Sequence, residues 1–188
     1  MHGSQLQPGV AVPWFEGRTS TVPRFHFHTL AGRYVVLCLF GSAASPQIRG
    51  VLAELANRRE LFNGVDCCLF GVSVDPDDEA LGRVQEQLPG VRLFWDFDRT
   101  ISRLFGSCRG PGDTKYHPQT FILDERLRTV ACLPVSIKPG QHVAQVCEIL
   151  ATLPELRPPC DGGTPAPVLV VPRIFEPELC RTLIRYYD

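Results

Sequence analysis

The chain has 188 residues, of which 44% are hydrophobic and 21% are charged, and its formal net charge is −1. This length allows one ordinary domain with room for a fragment of a second. The composition is typical of a folded globular protein and argues against disorder. Because a net charge near zero creates no field that would hold nucleic acid or an anionic membrane, we exclude both as partners.

The apolar segments are too short for a membrane protein. The longest run, residues 34–40, has the length of a buried strand, whereas crossing a bilayer takes roughly 20 residues. Residues 1–13 are polar and interrupted by Gly and Pro, unlike a secretory leader. We therefore expect a cytoplasmic protein.

Eight cysteines occur, and most of them lie in apolar segments, where a free thiol packs as a small hydrophobic side chain. Cys67 and Cys68 are adjacent and should point to opposite faces of a strand. Because no Cys-x-x-Cys pair is present, we expect no zinc and no other cofactor. Cys108 and Cys160 differ from the rest, since both occur in loop sequence rich in Gly and Pro.

The first predicted elements are a strand and a helix. Residues 34–40 form a continuous β-branched and aromatic run, which is typical of a fully buried strand. Ser45 is a good N-cap and Pro46 suits the first helical position. Apolar residues then recur at helical spacing until Gly64, which predicts a helix over this segment.

Two further strand-helix pairs follow. Residues 65–74 and 91–97 are predicted strands. A helix should begin at Asp75-Pro76, and another, shorter helix should begin at Asp98 and end at Gly106. The first of these helices should carry three apolar side chains on one face, namely Leu81, Val84 and Leu88.

The last part of the main domain is predicted to be a hairpin and a helix. Residues 107–116 read as a loop, and the segments 118–124 and 129–135 flank a polar turn, which indicates a β-hairpin. Residues 139–153 have the pattern of an amphipathic helix. The order βαβαβαββα predicts an α/β fold whose sheet is mainly parallel and is covered by helices on both faces.

The chain then divides. We predict a main domain over residues 1–153, a Pro- and Gly-rich linker over 154–166, and a strand and a helix over 167–188. One strand and one helix cannot bury a core, so this last piece indicates a larger parent protein. The alternative is an extension that folds back onto the main domain.

Residues 39–48 (LFGSAASPQI) lie at the first strand-to-helix junction, where peroxiredoxins carry Pro-x-x-x-Thr-x-x-Cys. In this register, Ser45 takes the place of the threonine and Ile48 that of the peroxidatic cysteine. Residues 6–153 thus resemble the alkyl hydroperoxide reductase/thiol-specific antioxidant (AhpC/TSA, redoxin) family, and the resemblance implies a thioredoxin-like fold with a central mixed sheet. Other blocks that carry it are Val72–Asp75, Asp96–Asp98, Leu104–Gly106 and Thr120–Asp124.

The resemblance fails at the residues that a peroxidase needs. Neither the peroxiredoxin register nor the thioredoxin register, whose two cysteines fall on Ser45 and Ile48, places sulfur at the helix start. A helix N-terminus lowers a thiol pKa from about 8.5 to about 3.5–7.5, and neither serine nor isoleucine can replace the thiolate. The family's late arginine is replaced by Pro118, and because thioredoxins have a cis-proline there, we expect Pro118 to be cis. The degenerate positions are Gly41, Ser42, Ser45, Ile48 and Pro118.

Whether the chain is an enzyme therefore stays open. An active thiol peroxidase or oxidoreductase would need a displaced cysteine, and Cys108, expected to be exposed beside Arg109, is the best catalytic candidate. Cys38 is the weaker candidate, because burial raises a thiol pKa. His117 lies next to the degenerate site in sequence, but a loop histidine is more often only solvated.

A third hypothesis is a small-anion site. The residues Gly41, Ser42 and Ser45 and the free N–H groups of the helix start would hold a carboxylate or a phosphate. The competing interpretation is that Ser45 only caps the helix. His26 and His28, which would share one face of a strand, look like a metal pair, but two ligands without a carboxylate are too few, so we expect a solvated face and no metal.

Residues 167–188 resemble the opening strand and helix of iron- and 2-oxoglutarate-dependent oxygenases related to prolyl hydroxylases. The iron triad that this resemblance implies, His-x-Asp…His, would lie beyond Asp188. We therefore interpret the chain as a redoxin module without its peroxidatic cysteine, attached to a dioxygenase. In this interpretation it binds a protein partner or forms a homodimer.

Overall fold

The computed structural model describes residues 6–110, 115–135, 138–156 and 175–187, and its compact units are residues 1–156 and 157–188. The described residues of the first unit form seven strands and four α-helices, and those of the second form one helix. The strands are β1 (Glu16–Gly17), β2 (Phe25–His26), β3 (Tyr34–Gly41), β4 (Cys67–Ser73), β5 (Val91–Trp95), β6 (Gln119–Leu123) and β7 (Thr129–Pro134). The helices are α1 (Pro46–Ala56), α2 (Pro76–Ala80), α3 (Thr100–Leu104), α4 (Pro139–Thr152) and α5 (Pro177–Tyr187).

A five-stranded sheet of order β5-β4-β3-β6-β7 forms the centre of the first unit. The pairs β3–β4 and β4–β5 are parallel, whereas β6 pairs antiparallel with both β3 and β7. All eight residues of β3 are buried, as expected for a central strand that is covered on both faces. This mixed sheet confirms the predicted thioredoxin-like α/β fold and the predicted hairpin.

Apolar cores lie on both faces of the sheet. Helices α1 and α4 cover one face, and α3 covers the other together with the N-terminal segment. Cys67 packs in the first core and Cys68 in the second, which confirms that the two thiols point to opposite faces. The arrangement leaves the carboxyl ends of β3 and β4 at the start of α1, where the resemblance places the reactive site.

Two predicted helices are shorter than expected. Helix α1 ends at Ala56 and not near Gly64, because the polar segment 57–60 continues as turns. Helix α2 ends at Ala80. The prediction that it continues and carries Leu81, Val84 and Leu88 on one face was wrong. Gly82 adopts a positive φ of 60°, a conformation that ends a right-handed helix, so Leu81 is 67% exposed.

The sequence pattern did not predict the short antiparallel pair of β1 and β2 or the 3-10 turn after it. The strand prediction for His28 was wrong, because the turn begins at Phe27 and contains His28. His26 keeps its place at the end of β2, and its Nδ1 lies 3.1 Å from a carboxylate oxygen of Glu16. The rings of the two histidines lie 5.5 Å apart, and that of His28 stacks on Trp14.

The C-terminal predictions are only partly covered. Residues 157–174, which include Cys160 and the predicted strand, lie outside the described residues. Helix α5 lies within residues 167–188, where a strand and a helix are predicted. The domain limits stay a prediction. Within the described ranges, every helix is too short or too polar to cross a bilayer.

Candidate functional site

The junction between β3 and α1 is shaped by a glycine and a tyrosine. Gly41 ends β3 with a φ of 79°, which favours glycine over any residue with a side chain. A Cβ atom at this position would lie 2.7 Å from Cδ1 of Tyr116. The aromatic ring of Tyr116 therefore packs directly against the backbone at the end of the strand.

The loop that follows is held by side chains of the same chain. The hydroxyl of Ser42 donates to Oδ2 of Asp75 at 2.6 Å, and the backbone N–H of Ala43 donates to Oδ2 of Asp78 at 2.9 Å. The N–H of Ala44 donates to the Ser42 hydroxyl at 3.1 Å. These polar groups, which an anion would need, already have internal acceptors.

The two acceptor carboxylates share one guanidinium. Nη1 of Arg83 lies 2.9 Å from Asp75 and 3.1 Å from Asp78. Asp78 is completely buried and also accepts a hydrogen bond from Ser73 at 2.7 Å, so its charge is paired and hydrogen-bonded as burial requires. The hydrogen bond from Ser42, followed by the backbone N–H of Asp77 and by Arg83, lowers the pKa of Asp75.

The start of α1 differs from the prediction in one respect. Ser45 occupies the N-cap position and Pro46 the first turn, as predicted, but the Ser45 hydroxyl makes no capping bond. It donates instead to the side-chain oxygen of Gln47 at 2.7 Å. The expectation that Ser45 caps the helix was therefore wrong. Ile48, at the position of the peroxidatic cysteine, is partly buried and packs against the core under α1.

Arg49 is the charged residue of this first turn. Its Nη1 donates to the carbonyl oxygens of Ala43 at 2.7 Å and Ala44 at 3.0 Å. Within the described residues, no carboxylate lies within ion-pair distance of Arg49. In the described part of the chain, two carbonyl oxygens thus balance the positive charge at the helix start.

Pro118 lies beside the end of β3, because the next residue, Gln119, pairs with Leu39. Its peptide bond does not have the predicted cis conformation. The cis peptide bond of the described residues is Leu88–Pro89, and the bond before Pro118 is trans, so the cis prediction was wrong. The chain enters β6 directly here. The N–H of His117 donates to the carbonyl of Ser107 at 2.8 Å, and the N–H of Val135 donates to the carbonyl of Pro118 at 3.0 Å. The exposed side chain of His117 matches the expectation of a solvated histidine.

The candidate cysteines are both buried. Cys38 has no exposed surface, and burial raises the pKa of its thiol to about 11, which is the direction expected for a thiol in the core. Cys108 is only 4% exposed, so the prediction of an exposed thiol was wrong. The loop turns inward beside it, because buried Ser107 accepts a hydrogen bond from Gln119 at 2.9 Å.

A buried polar network lies next to the junction, and the sequence did not reveal it. Asp96 accepts hydrogen bonds from the N–H groups of Ile101 and Ser102 at 2.9 and 2.7 Å, and from the Ser102 hydroxyl at 2.6 Å. Since that hydroxyl proton points to Asp96, the phenol of Tyr116, 3.0 Å away, donates to Ser102. Burial raises the pKa of Asp96 and of Tyr116.

The local signal for this network was the Asp96-x-Asp98 spacing before a helix, which is typical of capping. The partners Ser102 and Tyr116 come from elsewhere in the chain. For the histidine pair, Glu16 supplies a nearby carboxylate. No set of three ligating side chains that could hold a metal ion converges there or elsewhere in the described residues.

Comparisons with known proteins agree with this architecture. The sequence pattern of the AhpC/TSA family matches residues 8–130. The fold is similar to the peroxidoxin BcpB of Mycobacterium tuberculosis, with a TM-score of 0.67 and 20% identity over 80% of this chain and 99% of that one.

Two other solved structures are similar over most of this chain. The yeast mitochondrial 1-Cys peroxiredoxin matches with a TM-score of 0.63 and 18% identity over 78% of this chain and 75% of that one. A thiol:disulfide interchange protein DsbE from Chlorobium tepidum, described as putative in its own report, matches with a TM-score of 0.61 and 18% identity over 78% and 97%. At these identities the likeness concerns the fold. No curated protein matches the chain in sequence.

Proposed function

Because this chain belongs to the AhpC/TSA family, yet has Ser45 and Ile48 where the family's motif has threonine and cysteine, we propose that it is a non-catalytic redoxin module. In this proposal the fold serves to bind a protein partner or a second copy of the chain. The observation that supports it is the start of α1, where a hydroxyl and a branched alkyl group occupy the positions from which a thiol would react.

The chemistry of peroxide reduction explains why this substitution matters. A thiolate attacks one peroxide oxygen and forms an S–O bond as the O–O bond breaks. The thiolate becomes a sulfenic acid, and the other oxygen takes up a proton and departs as water or alcohol. The helix N-terminus stabilises the thiolate that begins this step. Isoleucine has no nucleophile.

The rival function is an active thiol peroxidase that uses Cys108 or Cys38. The burial of both thiols weighs against it, since a reactive thiol must be accessible to its peroxide.

The anion-binding hypothesis ranks third, because Ser42 and the Ala43 amide already bind carboxylates of the chain itself. Calorimetric titration of wild type and Ser45→Ala with acetate and phosphate tests it, and saturable binding that is lost in Ser45→Ala would establish it.

Peroxide assays distinguish the first two functions. We expect wild type to consume hydrogen peroxide with dithiothreitol no faster than the reductant alone, and to form no rapid sulfenic-acid adduct by mass spectrometry. A Cys108 adduct that forms at a catalytic rate and is abolished by Cys108→Ser would overturn the proposal.

A gain-of-function pair tests the helix start itself. Ile48→Cys places a thiol at the first turn of α1, and Ala53→Cys places one at an exposed position further along the same helix. We expect iodoacetamide to alkylate Ile48→Cys at lower pH than Ala53→Cys, and only Ile48→Cys to show peroxide-dependent sulfenic acid. Identical profiles for the two variants would show that this junction no longer activates a thiol, so the loss of cysteine alone would not explain inactivity.

The attachment to a dioxygenase is part of the proposal and rests on the resemblance of residues 167–188. Sequencing the transcript through and past the codon for Asp188 tests it, because a His-x-Asp…His triad in the same reading frame is expected. A stop codon at that point would contradict it. Sedimentation analysis of the chain tests self-association, for which a concentration-dependent dimer is the expected result.

A further inference from the structure

An apolar groove lies between α1 and the segment after α2, on the face of the sheet opposite α3. Its volume is about 300 Å³, at the lower end of the range for small-molecule sites. Most of its lining is aliphatic or small, with two arginines. The lining residues that matter are Arg49, Ala53, Ala56, Gly71, Arg83 and Leu93.

The groove exists because the chain covers this part of the sheet incompletely. Helix α2 stops at Ala80, and the following segment runs past α1 in turns, with Leu81 67% exposed and Leu88 49% exposed. Small residues of α1 deepen the opening, since this helix contributes Ala53 and Ala56. At the floor, the side chain of Leu93 packs over Gly71 on β4. A continuous helix with larger side chains would fill this space.

The two arginines differ in how their charge is used. Arg83 pairs with Asp75 and Asp78 and so is largely neutralised. Arg49 contacts only the carbonyl oxygens of Ala43 and Ala44 through Nη1, and no described carboxylate pairs with it. The groove therefore combines an apolar floor with the cation Arg49, which lies at the N-terminal end of α1. Within the described residues, this cation lacks an anionic partner.

We propose that this groove binds a small amphiphilic carboxylate, with the alkyl chain between α1 and β4 and the carboxylate on the guanidinium of Arg49. The guanidinium fork matches a carboxylate in geometry. From Arg49 to Ala56 the helix rises about 10 Å, which suits an alkyl chain of medium length. This inference goes beyond the proposed function and does not depend on it.

An NMR titration of the ¹⁵N-labelled chain with octanoate tests the proposal, with octanol as the uncharged probe. We expect octanoate to shift the amide signals of groove residues in a saturable way and octanol to bind about tenfold more weakly, the loss of one charge-assisted contact. Arg49→Gln should reduce octanoate affinity about tenfold and leave octanol binding unchanged. Arg49→Lys, which keeps the charge but not the planar fork, should give an intermediate octanoate affinity.

A second variant tests the apolar part separately. Ala53→Phe fills the groove from an exposed helix position, so the fold is retained, and it should abolish the binding of both probes. Equal affinity for octanoate and octanol, or octanoate binding that survives Arg49→Gln, would overturn the assignment of the carboxylate to Arg49. Binding unaffected by Ala53→Phe, or no binding of either probe, would overturn the groove as a ligand site.

Discussion

Two strand-to-helix junctions lie in the same sheet and are built differently. At the β5–α3 junction, Asp96 accepts three hydrogen bonds from Ile101 and Ser102, all within six residues. At the β3–α1 junction, Ser45 makes no capping bond, and the loop is held by Asp78, which is 35 residues away from Ala43.

The difference shows which junction keeps the form of a reactive site. The β5–α3 junction is closed by a buried carboxylate of its own segment, a purely structural arrangement. The β3–α1 junction leaves the first turn of its helix without a side-chain cap, as a site for a thiolate requires, but no thiol is present.

The largest expected effect comes from removing the closing carboxylate of the second junction. Asp96→Ala leaves three donors buried without an acceptor, so we expect the free energy of unfolding to fall by about 4 kcal/mol. Urea denaturation followed by circular dichroism measures it. Asp98→Ala, which removes the more exposed cap on Thr100, serves as the control with a loss of about 1 kcal/mol. Equal losses would show that Asp96 is an ordinary cap.

A somewhat smaller effect is expected at the first junction. Asp78→Ala removes the acceptor of the Ala43 N–H and the Ser73 hydroxyl, and we expect a loss of about 3 kcal/mol by the same measurement. The exposed neighbour Asp77 provides the control, since Asp77→Ala should change stability by less than about 0.5 kcal/mol. A loss for Asp78→Ala no larger than the control's would mean that the loop does not depend on this contact.

The two junctions should also respond to pH in opposite directions. Burial raises the folded-state pKa of Asp96 above the unfolded value near 3.8, so its contribution to stability is present at low pH and is lost as pH rises through the folded pKa. The pKa of Asp75 is lowered, so its contribution is present above the unfolded value and is lost as pH falls through the folded pKa. Over this acid range, we expect Asp96 to make the free energy of unfolding fall as pH rises, and Asp75 to make it rise. Asp96→Asn should abolish the fall, and Asp75→Asn should abolish the rise. Parallel changes in both variants would contradict the assignment.

The smallest effect belongs to a residue outside both junctions. His142 on α4 is fully buried and contacts Thr120 at 3.0 Å through Nε2, while its Nδ1 has no hydrogen-bond partner among the residues that the structure describes. Burial lowers its pKa, so the unfolded chain takes up a proton first, and stability should fall as pH drops below about 6.5. His142→Leu should flatten the stability profile between about pH 5 and 6.5. An unchanged slope in this variant would show that another group causes it.

The parts of the fold that were predictable are those encoded by local patterns. The run at 34–40, the polar turn between β6 and β7, and Asp75-Pro76 at the start of α2 each act through neighbours in sequence, and the structure confirms them. The predicted length of α2 was wrong, because the apolar spacing in the sequence continues past Gly82, whereas the backbone conformation of Gly82 ends the helix.

The site was less predictable than the fold. The missing cysteine could be seen in the sequence by alignment of one motif. The burial of Cys108 could not, because it depends on the inward turn of its loop, and neither could the hydrogen bond between Ala43 and Asp78. Contacts between residues this far apart leave no periodic signal.

Arg83 belongs both to the groove and to the junction, because it lines one and holds Asp75 and Asp78 at the other. A ligand that drew this guanidinium toward itself would weaken its ion pairs with the two carboxylates. By thermodynamic reciprocity, any change that stabilises the β3–α1 loop in its present form must then lower the affinity for such a ligand by the same factor. One shared cation would thus make occupancy of the groove and order of the β3–α1 loop mutually dependent.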